Sequence, residues 1–236
     1  RVGAGLVTVL SPPDAMAENA AHLTAIMLKQ AHGQADYAAA ASAANALVIG
    51  PAFGLEPAQR AQVRAVLEAP ARAPCVLDAD ALTLLAPLEG GLSANDVLTP
   101  HVGEFKRLFP NLLGAHASRI EAARAAAAQA GAVVLLKGAD TVIAAPDGRA
   151  VVNTSGSPFM ASAGSGDVLA GLIAGLIAQG LASFEAAALG AWLHGRCGEA
   201  CGPGLIAEDL PEILPAILTD LAPKWLRGGV SPVEEG

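Results

Sequence analysis

The chain has 236 residues, of which 53% are hydrophobic and only 3% aromatic, a balance that favours closely packed alanine-rich helices over a β-sandwich. Its formal net charge of −8 argues against the basic surface of a nucleic-acid-binding protein. No apolar run reaches the roughly 18 residues that cross a bilayer. From the net charge we therefore expect no nucleic-acid partner, and from the short apolar runs we expect no membrane.

Short apolar runs alternate with alanine-rich segments from residue 5 to residue 137. The predicted strands are 5–10, 46–50, 75–78, 96–99 and 132–137. The predicted helices are 35–45, 57–68, 79–85, 103–108 and 118–130. Because nearly continuous apolar strands separated by helices are typical of parallel sheets covered on both faces, we predict a three-layer α/β/α fold with a mainly parallel central sheet.

The carboxyl-terminal part departs from this alternation. Asp147-Gly148 lies between two apolar runs in 141–153, which predicts a β-hairpin. Three helices are predicted near 167–179, 183–201 and 207–221, followed by a flexible tail at 223–236. We expect residues 1–236 to form a single domain. Since the sequence starts without Met and runs directly into a strand, we also expect an amino-terminal element of this domain to be missing.

Polar residues and glycines collect at five predicted strand ends. Ligands of parallel α/β sheets bind beyond the carboxyl ends of the strands, so these segments are the first candidates for a site. They are GPAFG at 50–54, DADAL at 78–82, TPHVGEF at 99–105, KGADT at 137–141 and GSGD at 164–167. Loops with a purely structural role have less reason to carry Asp78, His101, Glu104, Lys137 and Asp167 together.

The segment SAGSGDVLAG, residues 162–171, combines a glycine turn, a carboxylate and the start of an apolar helix. Gly164 and Gly166 permit positive φ angles and close approach of a ligand, and the amides of a helix N-terminus bind anions such as phosphate. Two roles fit Asp167. It could cap the helix, or it could be a general base that accepts a proton from a hydroxyl while the amides hold a phosphoryl group.

The other polar residues also have a structural interpretation beside a functional one. Lys137 fits either a solvated strand-end lysine or a nucleotide contact, and the hairpin after it returns the chain towards Gly166. His101 fits either a structural histidine or a ligand contact. For Asp78 and Asp80, helix capping is favoured over a role in holding Mg²⁺.

The three cysteines offer little evidence of metal binding. Cys197 and Cys201 stand four residues apart, but no second Cys/His pair at ligand spacing accompanies them. We therefore predict that both pack on an apolar helix and that the chain has no metal site of its own. An odd number of cysteines without a signal peptide fits a reducing compartment, and we expect the cytoplasm.

Taken together, these segments resemble the ADP/ATP-dependent NAD(P)H-hydrate dehydratases of the ribokinase-like superfamily. The matching segments are AGLVTV, ALVIGPAFG, VLDADAL, LTPHVGEFKRL, LLKGADTVIAAPDGRAVVN and SAGSGDVLAGLIAGLIAQG with AWLHG. They cover the chain from about residue 3 to about residue 221. A GSGD turn alone indicates only a ribokinase-like kinase, whereas TPHVGEF and KGADT narrow the resemblance to the dehydratases.

The resemblance implies a ribokinase-like fold and a repair reaction on hydrated NADH or NADPH. ADP or ATP, accompanied by Mg²⁺, would phosphorylate the hydroxyl of the hydrated ring, and loss of phosphate would restore the double bond. Asp167 is the implied base, and a homo-oligomer, plausibly a tetramer, is the implied assembly. The implied nucleotide-binding residues are Lys137, Gly138, Ala139, Asp140, Thr141, Gly164, Ser165 and Gly166. The implied substrate-binding residues are Gly54, His101, Glu104 and Asp167.

Two other functions are compatible with the sequence. A ribokinase-like kinase of a sugar or a hydroxymethyl heterocycle would accumulate a stable phosphorylated product. A catalytically impaired nucleotide-binding module, as one part of a larger protein, would bind nucleotide without turnover.

Overall fold

The structure, a computed structural model, describes residues 1–88 and 90–222, so the predicted tail at 223–236 lies outside the described residues. The strands are β1 (Thr8–Ser11), β2 (Met27–Gln30), β3 (Leu47–Ile49), β4 (Cys75–Leu77), β5 (Val97–Leu98), β6 (Val133–Leu136), β7 (Thr141–Ala144) and β8 (Ala150–Asn153). The helices are α1 (Met16–His22), α2 (Gln34–Ala43), α3 (Pro57–Glu68), α4 (Ala79–Leu85), α5 (Val102–Leu108), α6 (Leu112–Ala115), α7 (Arg119–Ala130), α8 (Ser165–Ala178), α9 (Ser183–Cys201) and α10 (Asp209–Leu221).

Strands β3 to β8 form one six-stranded sheet in which neighbours along the chain are also neighbours in space. The first four of these strands are parallel, and β7 and β8 extend the sheet as an antiparallel hairpin. The mainly parallel sheet and the hairpin around Asp147-Gly148 are therefore confirmed. Helices α3, α4 and α9 also have the predicted bounds, and α3 begins at Pro57, whose fixed φ suits a first helical position.

Alternate residues of the central strands face two separate hydrophobic cores, because side chains alternate along a strand. On one face, Leu77 and Leu98 pack with Phe105 and with residues of α2, α3, α4 and α7. On the other face, Val76 and Val97 pack with residues of α8, α9 and α10. Both faces of the sheet are covered, which is the three-layer arrangement that the continuous apolar strands predict.

The amino-terminal strand differs from its prediction. β1 lies outside the main sheet and pairs in parallel with β2 as a separate two-stranded sheet. The apolar side chains in and next to this two-stranded sheet are poorly covered by the rest of the protein: Leu6 is 88% exposed, and Val7 and Met27 are also exposed. The sequence pattern does not predict β2, since its sequence MLKQ has two polar residues among four. It does not predict α1 and α6 either, because their sequences lack a clear apolar period.

A buried ion pair lies at the amino end of the central strands. Asp96 directly precedes β5 and is fully buried. Its carboxylate accepts hydrogen bonds from both terminal nitrogens of Arg72 at 2.7 and 2.6 Å and from the N–H groups of Cys75 and Ser93 at 3.0 and 2.8 Å. This bidentate pair ties the segments before β4 and β5 together, at the sheet edge opposite the predicted site.

Within residues 1–88 and 90–222, every helix is too short or too polar to span a lipid bilayer.

Candidate active site

The segments that follow β3 to β6 lie side by side at the carboxyl edge of the sheet. Backbone hydrogen bonds continue beyond the strands: the N–H of Asp78 donates to the carbonyl of Ile49 at 3.2 Å. In the same way, the N–H of Lys137 donates to the carbonyl of Pro100 at 2.8 Å. The structure therefore brings together the strand-end segments that contain Asp78, His101 and Lys137, as the parallel sheet predicts.

Gly50, which follows β3, lets the chain lie directly against Asp78, the residue that follows β4. Its φ is 130°, a conformation that side chains rarely adopt, and an added Cβ would overlap the carbonyl oxygen of Asp78. The close approach of these two strand ends therefore requires glycine.

We expect Gly50→Ala to destabilise the protein by about 3 kcal/mol or more, because it combines strain at a positive φ with overpacking against Asp78. The matched control is Gly148→Ala in the hairpin turn, where φ is 93° and an added Cβ meets nothing within 4 Å. That control carries the φ strain alone, about 1 to 2 kcal/mol. Thermal or denaturant unfolding of both variants measures the difference, and equal losses would show that the contact with Asp78 is unimportant.

Asp78 pairs with Lys137, and its predicted capping role is wrong. It occupies the N-cap position of α4, but its side chain makes no capping hydrogen bond. Its Oδ1 instead lies 2.8 Å from Nζ of Lys137, and the two side chains are 2% and 21% exposed. The Asp78 carboxylate is buried, and pairing with the ammonium of Lys137 offsets the cost of removing its charge from water. Asp80 does not cap α4 either, because its Oδ2 accepts the N–H of Gly54 at 2.8 Å.

The glycine turn opens α8 earlier than the sequence predicts. Gly164, with φ at 83°, occupies the N-cap position, so Ser165, Gly166 and Asp167 form the first helical turn. Asp167 is the third residue of the helix and not its N-cap, which corrects that interpretation. Its N–H and that of Gly166 donate to no acceptor within the described part of the chain, as is usual for a first turn. Both amides, at the positive end of the helix dipole, are free to bind an anion.

Gly166 brings this turn onto the ion pair of Asp78 and Lys137. A Cβ at Gly166 would lie 3.3 Å from Nζ of Lys137 and 3.6 Å from Oδ2 of Asp78. The predicted convergence of Lys137 and Gly166 is therefore present, and the small size of glycine permits it. Asp167, the next residue, lies close enough to the charges of Asp78 and Lys137, which have opposite signs, for both to act on it.

The surroundings of Asp167 favour its neutral form relative to an ordinary aspartate. Burial is the largest influence and raises the pKa of Asp167, the negative charge of Asp78 raises it further, and the ammonium of Lys137 acts in the opposite direction. A carboxylate with a raised pKa is a stronger base once it is ionised. Asp167 thus has the property that a general base requires.

The segment 137–141 forms a closed turn after β6. The hydroxyl of Thr141 donates to the carbonyl of Gly138 at 2.9 Å and accepts the N–H of Gly138 at 3.2 Å. Ala139 and Asp140 are exposed at the tip of the turn. The turn is therefore preformed, and its tip is accessible to a ligand.

Arg119, which sequence reasoning does not single out, supports this turn from the start of α7. Its Nη2 donates to the carbonyl of Lys137 at 3.2 Å, and its Nε forms an ion pair with Oδ1 of Asp140 at 3.1 Å. The Nε–H does not point at that carboxylate, so the contact is electrostatic and not a hydrogen bond. The guanidinium also occupies the space that a Cβ at Gly138 would need. Nothing in the local sequence around Arg119 indicates this contact.

His101 and Glu104 form a reciprocal cap at the start of α5. Nδ1 of His101 accepts the N–H groups of Gly103 at 2.9 Å and Glu104 at 3.3 Å, while the Glu104 carboxylate accepts the N–H of His101 at 2.8 Å. Since Nδ1 is an acceptor, the proton of a neutral His101 sits on Nε2. The imidazole is 54% exposed and Glu104 is buried. Both residues have a structural role, and their contact with a substrate stays a prediction.

His194 of α9 is a second residue without a sequence signal, since it sits within the apolar run AWLHG. It is buried, and its Nε2 has no hydrogen-bond partner within residues 1–88 and 90–222. Burial lowers its pKa to about 4. The nearby backbone of Ser165 acts in the opposite direction, and the charge of Lys137 lowers the pKa further. A neutral imidazole therefore packs beneath the glycine turn at pH 7.

Cys197 and Cys201 both lie in α9, as predicted. Burial raises the pKa of Cys197 to about 11, which keeps it a protonated thiol. The described residues contain no group of three or more His, Cys, Asp or Glu placed to hold a metal ion.

The three-layer sheet, with a glycine turn that opens a helix beside a strand-end lysine and aspartate, defines a ribokinase-like α/β protein. A protein-family model, Carb_kinase, matches residues 1–216 of this chain, and that family is described as NAD(P)H-hydrate dehydratase. The chain therefore belongs to the NAD(P)H-hydrate dehydratase family.

Individual relatives agree with this assignment. The bifunctional NAD(P)H-hydrate repair enzyme Nnr of Moorella thermoacetica is 45% identical over 190 residues, which are 75% of this chain and 35% of that protein. The ADP-dependent (S)-NAD(P)H-hydrate dehydratase of Neisseria meningitidis is 38% identical over 200 residues, 79% of this chain and 64% of that protein. The chain thus spans about a third of the length of the bifunctional relative.

A solved structure supports the same fold. The ADP/ATP-dependent NAD(P)H-hydrate dehydratase of Bacillus subtilis, co-crystallised with ATP and Mg²⁺, superposes with a TM-score of 0.75 at 29% identity. The match covers 94% of this chain and 83% of that one. The predicted ribokinase-like, mainly parallel three-layer fold is confirmed.

Proposed function

We propose that this protein catalyses the nucleotide-dependent dehydration of hydrated NADH and NADPH, with ADP or ATP as the phosphoryl donor. The observation that carries the proposal is the placement of Asp167, a carboxylate with a raised pKa in the first turn of α8, beside two free backbone amides and the Lys137 ammonium. A base next to an anion-binding turn is what transfer of a phosphoryl group to a hydroxyl requires.

The proposed reaction has two stages. In the first, Asp167 accepts the proton of the ring hydroxyl, and the hydroxyl oxygen bonds to the terminal phosphorus of the nucleotide. The nucleotide then leaves shortened by one phosphate. In the second, the ring carbon–oxygen bond breaks, phosphate departs with that bonding pair, and loss of a neighbouring ring proton restores the double bond. The products are reduced NAD(P)H, inorganic phosphate and AMP or ADP.

The proposed binding residues follow the two sides of the glycine turn. The nucleotide would lie along the turn that begins at Lys137 and over the amides of α8. The proposed nucleotide contacts are Lys137, Gly138, Ala139, Asp140, Thr141, Gly164, Ser165 and Gly166. The hydrate would lie towards Gly54, His101 and Glu104, on the segments after β3 and β5.

Mg²⁺ would arrive with the nucleotide. The described residues form no metal cluster of their own, and Mg²⁺ in nucleotide sites is commonly held by phosphate oxygens and water. We therefore assign no step to a protein-bound metal.

We further propose a single domain, a cytoplasmic location and a homo-oligomer, plausibly a tetramer. Exposed apolar side chains at Leu6, Val7, Ile26 and Met27, around the β1–β2 sheet, support an assembly. Three free cysteines, Cys75, Cys197 and Cys201, fit a reducing compartment.

The dehydratase is favoured over a small-molecule kinase because the family match covers residues 1–216 and includes the TPHVGEF and KGADT segments. Incubation with hydrated NADH and either ADP or ATP should restore the near-ultraviolet absorbance of the reduced nicotinamide and release phosphate. Omission of the nucleotide is the control. A phosphorylated ring product that accumulates without phosphate release would indicate a kinase, and nucleotide binding without turnover of this substrate would contradict the proposal.

A further inference from the structure

We propose that Asp78 is a positioning residue of this site, which holds the Lys137 ammonium beneath the glycine turn so that two opposite charges act on the Asp167 carboxylate. The proposal deepens the proposed function and rests on it for the role of Asp167 as a base.

The first support is the path of the ion pair across the sheet. Asp78 follows β4 and Lys137 follows β6, and β5 lies between these strands. Neighbouring strands are about 4.8 Å apart, so β4 and β6 are separated by about 10 Å. The Lys137 side chain must therefore extend over the end of β5 to reach Asp78 at 2.8 Å. Without Asp78, a flexible four-carbon side chain at a strand end has no reason to lie along the sheet edge.

The second support is the contact between this pair and the turn. The position of a Cβ at Gly166 is within 3.6 Å of both Nζ of Lys137 and Oδ2 of Asp78. The Asp78 side chain is almost fully buried, which limits screening of its charge by water. Asp78 is thus a fixed negative charge directly beneath the first turn of α8.

The charged groups that act on Asp167 come from two other segments, those after β4 and β6, and one further titratable group lies near its helix turn. Asp78 after β4 opposes ionisation of Asp167, and Lys137 after β6 favours it. His194 on α9, which packs close to Ser165 and Lys137, is neutral at pH 7. Removal of Asp78 alone should therefore make Asp167 more acidic, and removal of Lys137 as well should reverse that change.

The experiment is a pH titration of Asp167 by ¹³C NMR on the full chain labelled at aspartate carboxyls, with the resonance assigned by its loss in Asp167→Asn. In Asp78→Asn, we expect the midpoint to fall by about one pH unit. In the double variant Asp78→Asn with Lys137→Gln, we expect the midpoint to rise again towards the wild-type value. Asp80→Asn is the matched control, since the Asp80 carboxylate lies two residues after Asp78 in the chain and accepts the N–H of Gly54. The midpoint of Asp167 in this variant should equal the wild-type value.

A purely structural role for Asp78 gives a different pattern. Loosening of the site would let more water reach the already exposed Asp167 and lower its midpoint in both variants, without the reversal. An unchanged midpoint in Asp78→Asn, or a double variant no higher than the single one, would overturn the proposal. If Asp78→Asn does not fold, ¹⁵N NMR of the wild-type lysine ammonium groups provides the test. A slowly exchanging signal that is lost in Lys137→Arg supports the pair, and its absence refutes the pair.

This titration needs no turnover, so it separates the two proposals. A dehydration assay that fails while the midpoints move as expected would remove the proposed function and leave the charge arrangement. In an active enzyme, the acid limb of kcat/KM should shift to lower pH in Asp78→Asn, because Asp167 stays ionised further into the acid range.

Discussion

Replacement of Asp167 by Asn is expected to lower turnover of hydrated NADH by about 10²- to 10⁴-fold, the usual contribution of a general base. Asn has nearly the same shape but cannot accept the proton of the ring hydroxyl. The free amides of α8 and the turn at 137–141 remain, so the nucleotide dissociation constant should change little. Steady-state turnover with ADP or ATP, together with calorimetric nucleotide binding, measures both effects.

The matched control for this variant is Asp147→Asn, in the hairpin turn at the surface. Asp147 pairs only with Arg149 among the described residues, away from the carboxyl edge of the sheet. Its turnover should equal that of the wild type. Wild-type turnover in Asp167→Asn would remove Asp167 from the mechanism, and loss of nucleotide binding in that variant would assign it to the binding site instead.

Arg72→Met is expected to cause the largest loss of stability, about 3 to 5 kcal/mol, because it leaves the Asp96 carboxylate buried without its cationic partner. For a chain of this size, that corresponds to a fall in melting temperature on the order of 10 °C. The pair lies at the amino edge of the sheet, opposite Asp167, so turnover per folded molecule should be unchanged. Calorimetry or denaturant unfolding, with activity measured well below the transition, tests both expectations.

The comparison variant is Arg149→Met. Arg149 forms two ion pairs, with Asp147 and Glu185, but all three side chains are about half exposed. Solvent screens such pairs, so the melting temperature should change only slightly. If Arg72→Met were no more destabilising than Arg149→Met, the buried pair would not be a major determinant of stability.

Much of this fold could be predicted from the sequence because its signals are local. A strand buried on both faces is a short apolar run, Asp147-Gly148 is a turn by its own backbone preferences, and Pro57 suits the first position of α3. The same locality explains the errors. β1 and β2 belong to a separate sheet, which no short window of sequence shows, and the helix start at Ser165 depends on the φ of Gly164.

The candidate site divides in the same way. The sequence by itself determined which chemical groups stand at the strand ends, since the order of strands and loops along the chain places Lys137, His101 and Asp167 at one edge. Only the tertiary structure decided which groups touch. Asp78 meets Lys137 across 59 residues of chain, and His194 reaches the glycine turn from another helix. Contacts between residues so far apart depend on how the sheet and the helices pack. A local sequence pattern can therefore indicate that Asp78 follows a strand, but it cannot indicate which residue pairs with the charge of Asp78.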